Sequence, residues 1–194
     1  VPRLFIGTLA DIQEQKRTEQ FLAGLKEDDS AVFSDTLKIK FSAAQNLHMT
    51  WVFIGDVPQP SIKALTLQLD AQMAQIRKMK LPRELAFGSI DFWPDEIHPR
   101  LLVLTPTQTP AVVRQCAQAI HHLATGFQSA ADSLPFRAHI TLARLKEGAP
   151  CTDVIKAALS TLLPFELKLT DIGLFESTSV GRQSVYRTVA RYDL

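Results

Sequence analysis

The sequence predicts an α+β fold of two pseudo-symmetric lobes, each a mostly antiparallel sheet with helices on the outside, around a central cleft. Three observations predict it. The tetrad Leu47-His48-Met49-Thr50 returns as Ala138-His139-Ile140-Thr141, each copy inside a strand-like apolar run. Further strand patterns recur before and after the tetrads in the same order. Segments of helical spacing lie between them, so strands and helices alternate within each half.

The recurrences have shrinking offsets. Arg3-Leu4-Phe5-Ile6-Gly7-Thr8 resembles Arg100-Leu101-Leu102-Val103-Leu104-Thr105 at an offset of 97, and the histidines of the tetrads stand 91 apart. Leu81-Pro82-Arg83-Glu84-Leu85-Ala86-Phe87, through Ile90 to Trp93, matches Leu163-Pro164-Phe165-Glu166-Leu167-Lys168-Leu169, through Ile172 to Phe175, at an offset of 82. Any one pair is ordinary among apolar strands. Three in order point to an internal duplication with shorter connections in the second copy. Two copies make one domain of two related lobes, about 1–98 and 99–194, with strand exchange between them left open, and not a solenoid.

Each element has its own signal. Asp11 is placed to cap a helix running to about Lys26, with Ile12, Phe21, Leu22 and Leu25 toward the core. Pro60-Ser61 opens a second helix, to about Met79. Thr109-Pro110 reads as a cap followed by proline at the first helical position, Gly126 closes that helix, and Val112, Val113, Cys116, Ile120 and Leu123 form its apolar stripe. Thr152-Asp153 starts a fourth helix, to about Leu162. Runs near Phe92 and from Val185 to Tyr192 supply further strands. Asp28 to Asp35 and Gln128 to Ser133 read as polar loops, each preceding a His-x-Thr strand and so placed to border a site.

Composition narrows the function classes. A chain of 194 residues, 46% hydrophobic and 21% charged, is long enough for a substantial core. Net charge is +1 with no block of like charges, which argues against a long nucleic-acid footprint or an anionic-membrane patch. Recognition of a nucleic-acid end needs only a few local cations and stays open. No signal-peptide pattern and no membrane-spanning apolar run are present, and Cys116 and Cys151 fit neither a disulfide framework nor a zinc spacing. A cytoplasmic setting is expected, with the cysteines as buried filler.

Residues i and i+2 of a strand share a face, so each His-x-Thr sets an imidazole beside a hydroxyl. If the two faces converge, one histidine starts neutral and the other protonated, since imidazole titrates near pH 6.5. That pair suits in-line displacement at phosphorus: one deprotonates the attacking water and the other protonates the departing ribose oxygen. The hydroxyls of Thr50 and Thr141 donate to the non-bridging oxygens, and Arg144, five residues after His139, offers a bidentate phosphate contact. Phe53 stands at the equivalent place after His48, which breaks the symmetry and gives the substrate a direction. The scheme requires no metal and no cofactor.

These residues resemble a known family. Arg3-Leu4-Phe5-Ile6, Asn46-Leu47-His48-Met49-Thr50 with Phe53-Ile54-Gly55, His139-Ile140-Thr141-Leu142-Ala143-Arg144, and Gly181-Arg182 with Tyr186 are similar, in order and over nearly the whole chain, to the 2H phosphoesterase superfamily. The resemblance is to its bacterial RNA 2′,3′-cyclic phosphodiesterases, also called 2′-5′ RNA ligases. It implies that His48 is the proton donor and His139 the acceptor, and that Thr50, Thr141 and Arg144 contact phosphate. Arg182 and Tyr186 are weaker substrate-binding candidates. It further implies opening of a terminal 2′,3′-cyclic phosphate to a 2′-phosphomonoester, with 2′-5′ joining of RNA ends in some members. The chain departs at Ala138, where the family usually has proline.

The expected partners are RNA termini or small cyclic nucleotides as substrate, with no membrane and no obligate protein partner, and the chain is expected to be a monomer. The alternative from another class is a non-catalytic RNA-end or nucleotide-binding module. A metallohydrolase is disfavoured because no His-x-His or His-Glu-x-x-His occurs. His121-His122 point about 100° apart on a helix and are read as surface or boundary residues, and His98 as a turn residue. Phe41, Trp51, Phe92, Trp93 and Phe136 are read mostly as core, with one or two free to stack a base at the cleft.

Overall fold

A computed structural model describes residues 1–27, 39–127, 135–146, 152–181 and 183–194. The loops expected over 28–35 and 128–133, Cys151 and Arg182 lie outside these residues. In chain order the elements are β1 (Arg3–Leu9), α1 (Ile12–Glu27), β2 (Ile39–Phe41), β3 (His48–Asp56), α2 (Gln59–Lys78), β4 (Glu84–Trp93) and β5 (Leu101–Pro106). They continue with α3 (Ala111–Ala124), β6 (Ile140–Leu145), α4 (Thr152–Leu159), β7 (Phe165–Lys168), β8 (Asp171–Val180) and β9 (Gln183–Asp193).

The fold is α+β, and the two sheets foreseen from the sequence are continuous. Strands run in the order β7-β4-β5-β6-β3-β1-β8-β9, with every pairing antiparallel and β2 added to β6. The third strand in from the centre comes from the other half of the sequence on each side: β4 lies beside β5, and β8 beside β1. Among the described residues the centre is a single residue pair, Met49↔Ile140, between β3 and β6. Beyond it the strands part. β2 takes the length of β6 that β3 leaves, Ile39↔Leu145 to Phe41↔Ala143, and the Ser42 amide follows onto the Leu142 carbonyl at 2.8 Å. A wedge therefore opens in the middle of the sheet.

Burial decides which way that wedge faces. Met49 and Ile140 have no exposed surface and join the core with Leu65, Leu69, Met73 and Ile76 of α2 and Val113, Cys116 and Ile120 of α3. Burying each such side chain is worth about 1.5–3 kcal/mol. Strand alternation then sends residues 48, 50, 139 and 141 to the opposite face.

The helices follow their signals with local shifts. Asp11 Oδ1 accepts from the Gln13 and Glu14 amides at 2.8 and 3.1 Å, capping α1 as expected. Ile12, expected toward the core, is 61% exposed. At 100° per residue it falls about 120° from Thr18, which is buried with Phe21, Leu22 and Leu25 on the inner stripe. Pro110 itself occupies the cap position of α3, one residue later than expected, and its carbonyl accepts from the Val113 and Arg114 amides. The repeat from Leu163 to Phe175 is split into β7 and β8, whereas its counterpart is the one long strand β4. The split falls where the Leu169 amide bonds the Arg83 carbonyl. Cys116 is fully buried, which pushes its thiol up to about 12.

Candidate active site

The Met49↔Ile140 pair fixes the relation of the two tetrads. Its flanking residues stand His48 across from Thr141 and Thr50 across from His139, all on the face away from the core. Diagonal neighbours in such a ladder are about 7–8 Å apart, the relation of His48 to His139. Each histidine begins its run: His48 is the first residue of β3, and His139 immediately precedes β6. His139 thus lies just outside the strand in which the sequence placed it. Its position is held by packing, with Ala138 buried and the Phe136 ring stacked on Trp51 at 5.8 Å and 10°.

Both imidazoles are tethered alike. His48 Nδ1–H donates to the Asn46 carbonyl and His139 Nδ1–H to the Arg137 carbonyl, each at 2.7 Å. A carbonyl only accepts, so each Nδ1 carries the proton and each Nε2 is left to take or give one. Each ring also rests on aromatics. Phe5 lies 4.9 Å from His48, with Tyr186 edge-on at 5.2 Å, and Trp93 lies 4.5 Å from His139.

The charges acting on them differ. Burial pushes both imidazoles below their ordinary value, and in both the bond to the carbonyl opposes it. The remaining push comes from the His139 charge on His48, and from the Arg137 guanidinium on His139. Arg137 is parked with its guanidinium 4.1 Å from the Trp93 ring centre. Asn46, at the matching position before His48, is neutral, and its side-chain amide donates to the Ser184 carbonyl at 2.6 Å.

His48, Thr50, Thr141, Arg144 and Tyr186 line one cleft of about 480 Å³. His139, whose ring rests against Trp93, is not among the residues lining that volume. Arg144 acts on Tyr186, whose hydroxyl is pushed up by burial and partly offset by the arginine. Phe53 lies under the Arg3 guanidinium, 5.2 Å from its ring centre, and both line the cleft. An arginine thus reaches the position where the first repeat lacks one, delivered by the neighbouring strand.

Of the aromatics read as core, Trp51 and Phe92 are buried, while Phe41 lines the cleft and Trp93 flanks His139. His98 is in a turn closed by Asp95 Oδ1, which accepts its amide at 2.7 Å. Sequence reasoning gave no role to Arg3, Phe5 or Arg137. The available signal for Arg137 was positional: like Asn46, it stands two residues before its histidine.

Known proteins share this arrangement of chain and fold. Residues 103–186 match the family described as LigT like Phosphoesterase. The RNA 2′,3′-cyclic phosphodiesterase of Bacillus subtilis (strain 168) is 33% identical over 100 residues, which is half of this chain and half of that relative. E. coli LigT complexed with 3′-AMP superposes with a TM-score of 0.72 at 22% identity, covering 100% of this chain and 99% of that one. TT0787 of Thermus thermophilus gives 0.68 at 18% identity, covering 99% and 97%. At these identities the solved structures show the fold alone. The second half of the chain is thus similar to the LigT-like phosphoesterases, the chain spans about half the length of the curated relative it matches, and the whole chain shares the fold of E. coli LigT.

Proposed function

We propose that the protein hydrolyses RNA or nucleoside 2′,3′-cyclic phosphate to a 2′-phosphomonoester, with His48 as proton donor and His139 as acceptor. The observation that carries the reading is the pair of tetrads on one face, with both Nδ1 atoms tied to backbone carbonyls. Two Nε2 atoms are then free on either side of a phosphate gripped by Thr50 and Thr141. His139 Nε2 takes a proton from water as the water oxygen bonds phosphorus. His48 Nε2–H gives its proton to the ribose 3′ oxygen as that P–O bond breaks. Thr50, Thr141 and Arg144 hold the charge on the non-bridging oxygens. The direction has a geometric support. His48 lines the open cleft, which gives a nucleoside leaving group room on its side. Tyr186 would border the nucleoside.

The Bacillus relative bears the name of this activity, and E. coli LigT was solved with a nucleotide bound. Ligation through a 2′-5′ bond would be the same displacement with an RNA 5′-hydroxyl where water stood, and the reverse of that step would cleave a 2′-5′ diester. The direct test is turnover of a nucleoside 2′,3′-cyclic phosphate in chelator. His48→Ala and His139→Ala are each expected to lower kcat by about 10²–10⁴-fold, the range for a lost acid or base, with the fold retained. Wild-type-like turnover by either variant would overturn the mechanism. Binding without product by the wild type would identify a recognition module instead.

A further inference from the structure

We propose that a second cavity, remote from the cleft, binds an organic diphosphate of the nucleoside diphosphate class. The cavity measures about 550 Å³ and is bounded by the last turn of α2, the connection to β4 and the turn between β7 and β8. It shares no lining residue with the cleft. The β8–β9 ladder runs from Asp171↔Asp193 at the cavity end to Val180↔Gln183 at the cleft end. A strand of this length spans about 30 Å at roughly 3.4 Å per residue, so one nucleotide does not reach both.

Charge is segregated here. The chain carries 21 basic and 20 acidic residues in near balance, yet the charged side chains lining the cavity are Arg77, Lys80, Arg83 and Lys168, of which Lys168 is paired with Asp11, and Glu84, with Leu194 also on the rim. Two of the cations are held in place. Arg77 Nε donates to the Asp193 carbonyl at 2.8 Å, which leaves both terminal nitrogens available, and Lys168 is braced by Asp11 at 3.0 Å. The Lys80 and Arg83 side chains are exposed and make no hydrogen bond or ion pair among the described residues. Lys80 also has φ of 54°, a left-handed conformation at the end of α2 that glycine adopts without strain. Such an outlier marks a place where function is worth seeking, and here it holds a cation at the cavity's edge.

The negative end of α2 opposes an anion, but that effect fades within the last turn and is screened by salt. Cations from separate segments suit more than one phosphate group. Between them is an apolar floor of Ile76 and Leu169, both buried, with Leu81 beside them, which suits a flat organic group. A diphosphate carrying a base satisfies both halves of this lining.

The test is calorimetric titration of ADP, pyrophosphate and adenosine into the wild type, Arg144→Ala, which disables the cleft, and the double variant Lys80→Glu/Arg83→Glu, alone and added to Arg144→Ala. ADP is expected to bind the Arg144→Ala protein still, with affinity falling as salt rises and at least about tenfold tighter than either pyrophosphate or adenosine. The double variant is expected to lose about tenfold or more at this site while turning over cyclic phosphate as the wild type does. The proposal is overturned if ADP binding vanishes with Arg144→Ala alone or survives when Lys80→Glu/Arg83→Glu is added to Arg144→Ala. Equal affinity for adenosine or for pyrophosphate overturns it as well, since the cations or the floor would then be idle. Because the readout is binding away from the cleft, it stands or falls independently of cyclic phosphodiesterase activity.

Discussion

Asn46 and Arg137 occupy matching positions, each lending its carbonyl to a histidine, yet their side chains differ in charge. In a site with two nearly equivalent imidazoles, a small electrostatic difference decides which loses its proton first. Burial is the larger cause of the low proton affinity at His139, and the Arg137 cation adds to it. Removing that cation in Arg137→Gln is therefore expected to raise the His139 value. The acid limb of the kcat/KM profile, which reports the free enzyme's base, would move to higher pH. An unmoved limb would show that Arg137 does not tune the base. In the wild type both imidazoles are lowered, so the bell is expected to centre below about pH 6.5, measured with a nucleoside 2′,3′-cyclic phosphate. At this scale the histidines and threonines were legible because a period of two puts them on one face. Arg137 was not, because it works through a Trp93 ring delivered by β4.

Strand registers explain how the aromatic shelf beneath His48 is made. Gly7 of β1 lies directly across from Gly173 of β8, and the Phe5 and Phe175 rings, 5.3 Å apart, fold over the space the two glycines leave. A Cβ on Gly173 would sit 2.3 Å from the Phe175 ring. Gly173→Ala must therefore displace that ring, then Phe5, and through Phe5 the imidazole of His48. It is expected to lower kcat by about tenfold, in line with the sensitivity of rate to roughly 1 Å misplacements. Unchanged kinetics in Gly173→Ala would show that the shelf does not position His48. One residue along β1, the fully buried Thr8 accepts from Trp51 Nε1 at 2.9 Å and donates to the Asp171 carbonyl at 2.8 Å, joining β3, β1 and β8. Thr8→Val keeps the shape and strands both partners, so it is expected to cost about 2–4 kcal/mol in denaturant unfolding. Neither arrangement was legible in the sequence, since each joins strands from opposite ends of the chain and leaves no local pattern. Helix positions, by contrast, were read to within a residue or two from caps and apolar spacing, except that α4 ends at Leu159 and a 3-10 turn covers Ser160–Leu162.

Over the whole molecule, the repeat order foretold strand-helix alternation but not that the sheet would be continuous through one residue pair. That seam has a consequence for stability. His48 and His139 flank the Met49↔Ile140 pair, and both are held below the ordinary imidazole value in the folded protein, chiefly by burial. The unfolded chain binds their protons at about pH 6.5, so as pH falls through that value the unfolded state gains protons that the folded state resists. Unfolding free energy therefore drops as pH is lowered from neutrality until the depressed folded values are passed. Below those values two imidazolium charges would face each other beside the one pair that joins the two runs of strands among the described residues. Replacing both groups in His48→Gln/His139→Gln removes this linkage. The variant's Tm is expected to fall less between pH 7.5 and 5.5 than that of the wild type, as followed by calorimetry. An identical fall in both proteins would mean that the acid sensitivity arises elsewhere, and that the seam tolerates the charge its geometry argues against.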